Sequence, residues 1–123
     1  MRRLVLMVTA IAFLGIAAVP ALAAEMTVTG ELVDHACYTK RGAENGSGSG
    51  HAQCAKDCAM KGMPVALVTA SGDVYMVAGS VTTDNNAALV PHMSHTVEVM
   101  GEVSEAGGVK TITTDAIKHI SAN

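Results

Sequence analysis

The sequence predicts a mainly β protein, a small five-stranded barrel with a short cysteine-bearing helix between its first two strands. Three observations carry this prediction. Apolar residues alternate with period two in several short runs, turn residues separate those runs, and one stretch of helix formers, HAQCAKDCAMK, is stopped by a glycine and a proline.

Fold reasoning starts after residue 23. Arg2 and Arg3 give a positive start, residues 4–19 are an apolar run, Pro20 breaks it, and Ala21 and Ala23 supply small residues two apart. This is the pattern of a secretory signal peptide over residues 1–23, and the apolar run falls short of the ~20 residues that span a bilayer. The expected product is residues 24–123, one domain exported to the periplasm or secreted, with no membrane attachment after cleavage. Loss of Arg2 and Arg3 lowers the basic count from 8 to 6 against 11 acids, a net charge of −5 with histidines neutral. Such a surface repels phosphate backbones, and with no Trp and two Tyr there is no stacking platform, so nucleic acid is excluded as a partner.

Residues 26–33, MTVTGELV, alternate as a half-buried strand does. Residues 34–50 read as a loop that ends in the flexible tract NGSGSG, which is not expected to pack. Residues 51–61 form the helix, closed by Gly62, which suits a left-handed cap, and by Pro64, which cannot continue it. Residues 64–70 and 74–77 are strands around the turn Ser71, Gly72, Asp73, which makes a hairpin. Residues 84–90, DNNAALV, look like a capped helical turn before Pro91. Residues 96–103 and 109–114 flank EAGG in a second hairpin, and Ile117 and Ile120 extend the apolar pattern into an irregular tail. Three strands, a helix and two strands are the layout of an OB-like β-barrel, with an open β-sandwich as the alternative.

The chemistry concentrates on the helix. At about 100° per residue, Cys54 and Cys58 fall about 300° and 340° around from His51, so the three side chains share one face about 60° wide. Met60 falls on the opposite side and reads as core filling. Cys37 lies just past the first strand, where the flexible tract would let it fold back onto the helix. Residues at i and i+4 hold their Cβ atoms about 5–6 Å apart where a disulfide needs about 3.5–4.5 Å, so Cys54 and Cys58 are poor partners for each other and Cys37 is the better one.

Two readings follow. One is a metal site of Cys37, Cys54 and Cys58 completed by His51 or His35: thiolates and an imidazole suit Zn, and thiolates with a nearby thioether suit Cu(I). The other is a disulfide from Cys37 to Cys54 or Cys58, closing a loop of about 15–20 residues for about 3 kcal/mol and leaving one thiol over. The odd cysteine count favours metal, the exported location favours the disulfide, and a redox-active thiol is a third reading. His92 and His95, in HMSH, have metal-friendly side chains but sit where a loop enters a strand, and His119 reads as a surface histidine.

Enzymatic function is not expected. No paired carboxylates, phosphate loop or nucleophile with an evident base is present, and the serines of GSGSG stand out of register for a nucleophile elbow. Cys-x-x-x-Cys is neither a c-type haem box nor a thioredoxin-like Cys-x-x-Cys. It resembles the copper-binding spacing of the Sco-type chaperones, whose thioredoxin fold nothing else here matches. The pattern Gly30-x-x-Val33-Asp34-x-x-Cys37, then His51-x-x-Cys54-x-x-x-Cys58-x-x-x-Gly62-x-Pro64, resembles a set of small exported bacterial domains of uncharacterised function. That resemblance implies a signal-bearing barrel with a cysteine-rich helix and no particular reaction. The functional expectation is therefore an exported binding protein for a metal ion, Zn or Cu, or else a disulfide-stabilised module that recognises another envelope protein.

Overall fold

The computed structural model describes residues 23–123. The expected signal segment lies, apart from Ala23, outside the described residues. Among the described residues there are six strands: β1 (Ala24–Asp34), β2 (Val65–Val68), β3 (Val74–Ala78), β4 (His95–Ala106), β5 (Val109–Thr113) and β6 (Lys118–Ala122). Their order is β1-β2-β3-β5-β4-β6, and β1 also pairs with β4, from Ala24 opposite Val103 to Glu31 opposite Thr96. The first five strands therefore close on themselves, with β3 and β5 parallel and the other pairs antiparallel. This is the five-stranded barrel expected from the sequence, and the β1–β4 pairing excludes the open sandwich.

The alternation read from the sequence fills the barrel. Val28 and Leu32 of β1, Leu67 of β2, Tyr75 and Val77 of β3, Val97 and Val99 of β4 and Ile112 of β5 all point inward and are buried. Each such aliphatic residue contributes about 1.5–3 kcal/mol by leaving water. Val81, Leu89 and Met93 join this core from the connection between β3 and β4.

Four expectations need correction. Residues 34–50 are not a loop: α1 spans His35–Gly46, with a break at Gly42. Its start was hidden because Asp34 does double duty, ending β1 opposite Val65 and capping α1 by accepting the Cys37 N–H at 2.8 Å. The NGSGSG tract is not loose either. Gly46 is buried against the backbone of Tyr38, and the Gly48 N–H donates to both oxygens of Glu31, at 3.0 and 3.2 Å.

The third correction concerns residues 84–90, which do not form a right-handed capped turn. Asp84, Asn85 and Asn86 hold φ of 54°, 55° and 60°, a left-handed run that these residue types tolerate better than other non-glycine residues. Last, the tail after Thr114 is not irregular. It contributes β6, which pairs with β4 with a bulge between Thr96 and Val97.

The helix α2 runs over Ala52–Met60, preceded by a 3₁₀ turn at Ser49–His51. It ends as expected: Gly62 takes φ 78°, its N–H reaches the Ala59 carbonyl at 2.9 Å, and the Met63 N–H reaches that of Cys58 at 3.2 Å. Ala55 and Ala59, both fully buried, face the core, and their small side chains let the helix lie close on β1 and on the Thr83–Asn86 and Val90–His92 turns.

Candidate metal centre

The chain leaves the barrel at Asp34 and re-enters at Val65, directly opposite in the β1–β2 pairing. Residues 35–64 therefore form one excursion whose two ends are pinned side by side. The His35 N–H donates to the Pro64 carbonyl at 3.1 Å and fixes the first turn of α1 against the segment that follows α2. Cys37 stands in that first turn, while Cys54 and Cys58 stand one turn apart on α2.

This arrangement brings Cys37, Cys54 and Cys58 together, with their sulfurs all within 4.8 Å of one another. No disulfide joins them. Cys54 is exposed and the other two are half-buried, so the cluster lies at the surface where an ion from solution can reach it. A metal at the usual Zn–S distance of about 2.3 Å would set tetrahedral sulfurs about 3.8 Å apart, so the thiols need close in by no more than about 1 Å.

The two histidines expected to complete the set stand outside this group. His51 precedes α2 in the 3₁₀ turn, with φ −105° and ψ 0°, so it does not continue the helical face on which the sequence reading placed it. Its ring is buried and its Nε2 has no hydrogen-bond partner. His35 lies at the start of α1, where its Nε2 is 3.5 Å from Thr39 Oγ1. Met60 is half exposed to solvent rather than filling the core as expected, because α2 turns its alanine face inward.

Asp34 sets the electrostatics. It is 1% exposed, and its Oδ2 has no hydrogen-bond partner while Oδ1 caps α1. The nearby carboxylate, first as hydrogen-bond acceptor, then with burial and the charges of Asp34, Cys54 and Cys58, pushes the Cys37 thiol up to about 12. Burial, then the Asp34 charge and Cys54, also raise Cys58. Thiolates next to a buried carboxylate repel it and one another, so Cys37 and Cys58 hold their protons until a cation replaces them.

A second group was visible in the sequence only in part. His92, at the end of the Val90–His92 turn, His95, opening β4, and His119, in β6, offer ring nitrogens within 4.8 Å of one another. Ring centroids lie 5.2 to 6.5 Å apart. The His-x-x-His spacing was visible, but His119 joins only through the pairing that sets it opposite Val97. Compared with protein-family models, with curated proteins and with solved structures, the chain finds no match.

Proposed function

We propose that this chain is an exported binding protein that takes a soft or borderline metal ion, Zn²⁺ or Cu⁺, on Cys37, Cys54 and Cys58. The proximity of the three sulfurs carries this reading. Thiolates from two helices, one pair at i and i+4, can grip one ion without unwinding either helix. Three sulfurs suit trigonal Cu⁺ directly, and they suit tetrahedral Zn²⁺ with the fourth position left to water or to a donor from another molecule. The signal-like residues 1–23, the likeness to small exported bacterial domains, and a charge that disfavours nucleic acid support the periplasm or the exterior as its place of action.

The test is metal content set beside thiol count on protein purified from the periplasm. Close to one Zn or Cu per chain is expected, with three unoxidised thiols that become reactive after chelation. Cys37→Ser, Cys54→Ser or Cys58→Ser should each abolish that binding. A protein without stoichiometric metal, whose non-reducing digest joins Cys37 to Cys54 or Cys58, would overturn the proposal in favour of the disulfide-stabilised module.

A further inference from the structure

His92, His95 and His119 reach one another from three separate elements, and the fold holds two of them rigidly. Between His92 and His95 the chain turns back through Met93, fully buried, and Ser94, 1% exposed and held at φ 63°. The Ser94 N–H donates to the Leu32 carbonyl at 2.7 Å, and its own carbonyl accepts from Asn123 Nδ2 at 3.0 Å. Asn123 also accepts from Thr96 Oγ1 at 3.0 Å and donates to Glu31 at 2.9 Å, which secures the far end of β6 beside β4. The left-handed residue aims His95 back toward His92, and the β4–β6 pairing brings in His119.

The imidazoles are short of partners. His92 Nδ1 and His95 Nδ1 are both buried without a hydrogen bond. Among the described residues the one salt bridge joins Lys110 to Asp73, so no carboxylate pairs with these rings. Three imidazoles that bring their ring nitrogens within 4.8 Å of one another, two of them with a buried Nδ1 that has no partner and none facing a carboxylate, present a ready set of nitrogen donors to a cation.

We infer that His92, His95 and His119 form a second metal site, separate from the thiols, that takes a borderline divalent ion such as Zn²⁺ or Cu²⁺. All-nitrogen ligation suits these ions better than Cu⁺, and three protein ligands leave a position for water or an external donor. Zn–N bonds of about 2.0–2.1 Å call for nitrogens about 3.4 Å apart, a contraction that side-chain rotation can supply because His119 is exposed. The inference rests on different residues from the proposed function and stands without it.

The experiment is a titration of the whole mature protein with Zn²⁺ under reducing conditions, read by the imidazole ¹⁵N resonances and by the number of ions bound. Two ions per chain are expected, or one if the thiols do not bind Zn²⁺. In either case the resonances of His92, His95 and His119 should shift together with one equivalent. His119→Gln removes a ligand from an exposed position, so the fold should survive. It should weaken binding at this cluster by more than the roughly 100-fold that loss of an outer-shell partner costs, and lower the count by one. The same equivalent should persist when all three cysteines are serine. Should that variant fail to fold, the wild-type ¹⁵N shifts decide alone. Resonances that stay fixed through saturating Zn²⁺, or an ion count unchanged by His119→Gln, would overturn the inference.

Discussion

Replacing Asp34 by Asn tests the electrostatics of the thiol cluster at its source. The amide keeps an oxygen to accept the Cys37 N–H, now 2.8 Å from Oδ1, so the cap on α1 survives. What disappears is the carboxylate, whose hydrogen bond is the largest of the causes that push Cys37 up to about 12, ahead of burial and of its own charge, and whose charge comes second to burial in raising Cys58. Returning Cys37 fully to its ordinary value near 9 would raise the thiolate fraction at pH 8 from about 10⁻⁴ to about 10⁻¹. A more acidic thiol is also a weaker nucleophile, by about 20-fold over that interval, so the net gain in alkylation rate has a ceiling of about 50-fold. Burial and the neighbouring thiols remain, so the observed gain should fall below that ceiling, at about 5-fold or more.

The assay is the rate of iodoacetamide labelling of metal-free, reduced protein at pH 8. Tryptic peptides resolve the sites, because Lys40, Lys56 and Lys61 separate Cys37, Cys54 and Cys58. Cys37 should gain most and Cys58 less. A Cys37 rate within about twofold of wild type, in a variant whose melting curve shows it folded, would refute the claim that Asp34 holds that proton.

Three further outcomes are expected. Between the ordinary thiol value near 9 and the folded value near 12, the folded metal-free protein keeps the Cys37 proton that the unfolded chain gives up, so raising pH favours unfolding. Stability should therefore be fully present below about pH 9 and decline toward pH 12, and a melting temperature that stays flat across that window in the protein but not in its Asp34→Asn variant would contradict this sign. Asn86 donates through Nδ2 to the Ala59 carbonyl at 2.9 Å and the Met63 carbonyl at 3.0 Å, closing the end of the cysteine helix. Asn86→Ala should thus cost about 2–3 kcal/mol in urea unfolding and weaken metal binding at the thiols. Gly79 holds φ 103° where an added Cβ would strike the Thr114 carbonyl, so Gly79→Ala should cost about 3 kcal/mol, and a loss below about 1 kcal/mol would show that the β3–β5 junction yields more easily than its geometry implies.

The barrel was legible in the sequence because its signals are local. Period-two alternation in residues 26–33 and 96–103 assigns side chains to the inside or outside of a strand whatever lies across from it, and Gly62 with Pro64 stops a helix without help from elsewhere. The convergence of three cysteines was legible for a related reason: two share a helix face by spacing alone, and the third follows directly on the first strand. Other features needed the tertiary structure. Asp34 reads as the first residue of a loop, and only the fold shows it pairing with Val65 at the end of β1 while its buried carboxylate caps α1 and raises Cys37. His51 lies on the cysteine face only if the helix begins one residue earlier than it does, since His51 instead closes the preceding 3₁₀ turn. The left-handed run at 84–86 is held by contacts across the fold, since Asn86 reaches carbonyls more than twenty residues away in sequence. His119 is an isolated histidine in the sequence and a member of a three-imidazole cluster in the fold, because only strand pairing sets it opposite Val97 and beside His92 and His95. A sequence states which side chains are available and how they repeat along the chain, whereas the distances that let them share a proton or an ion arise only when remote segments pack together.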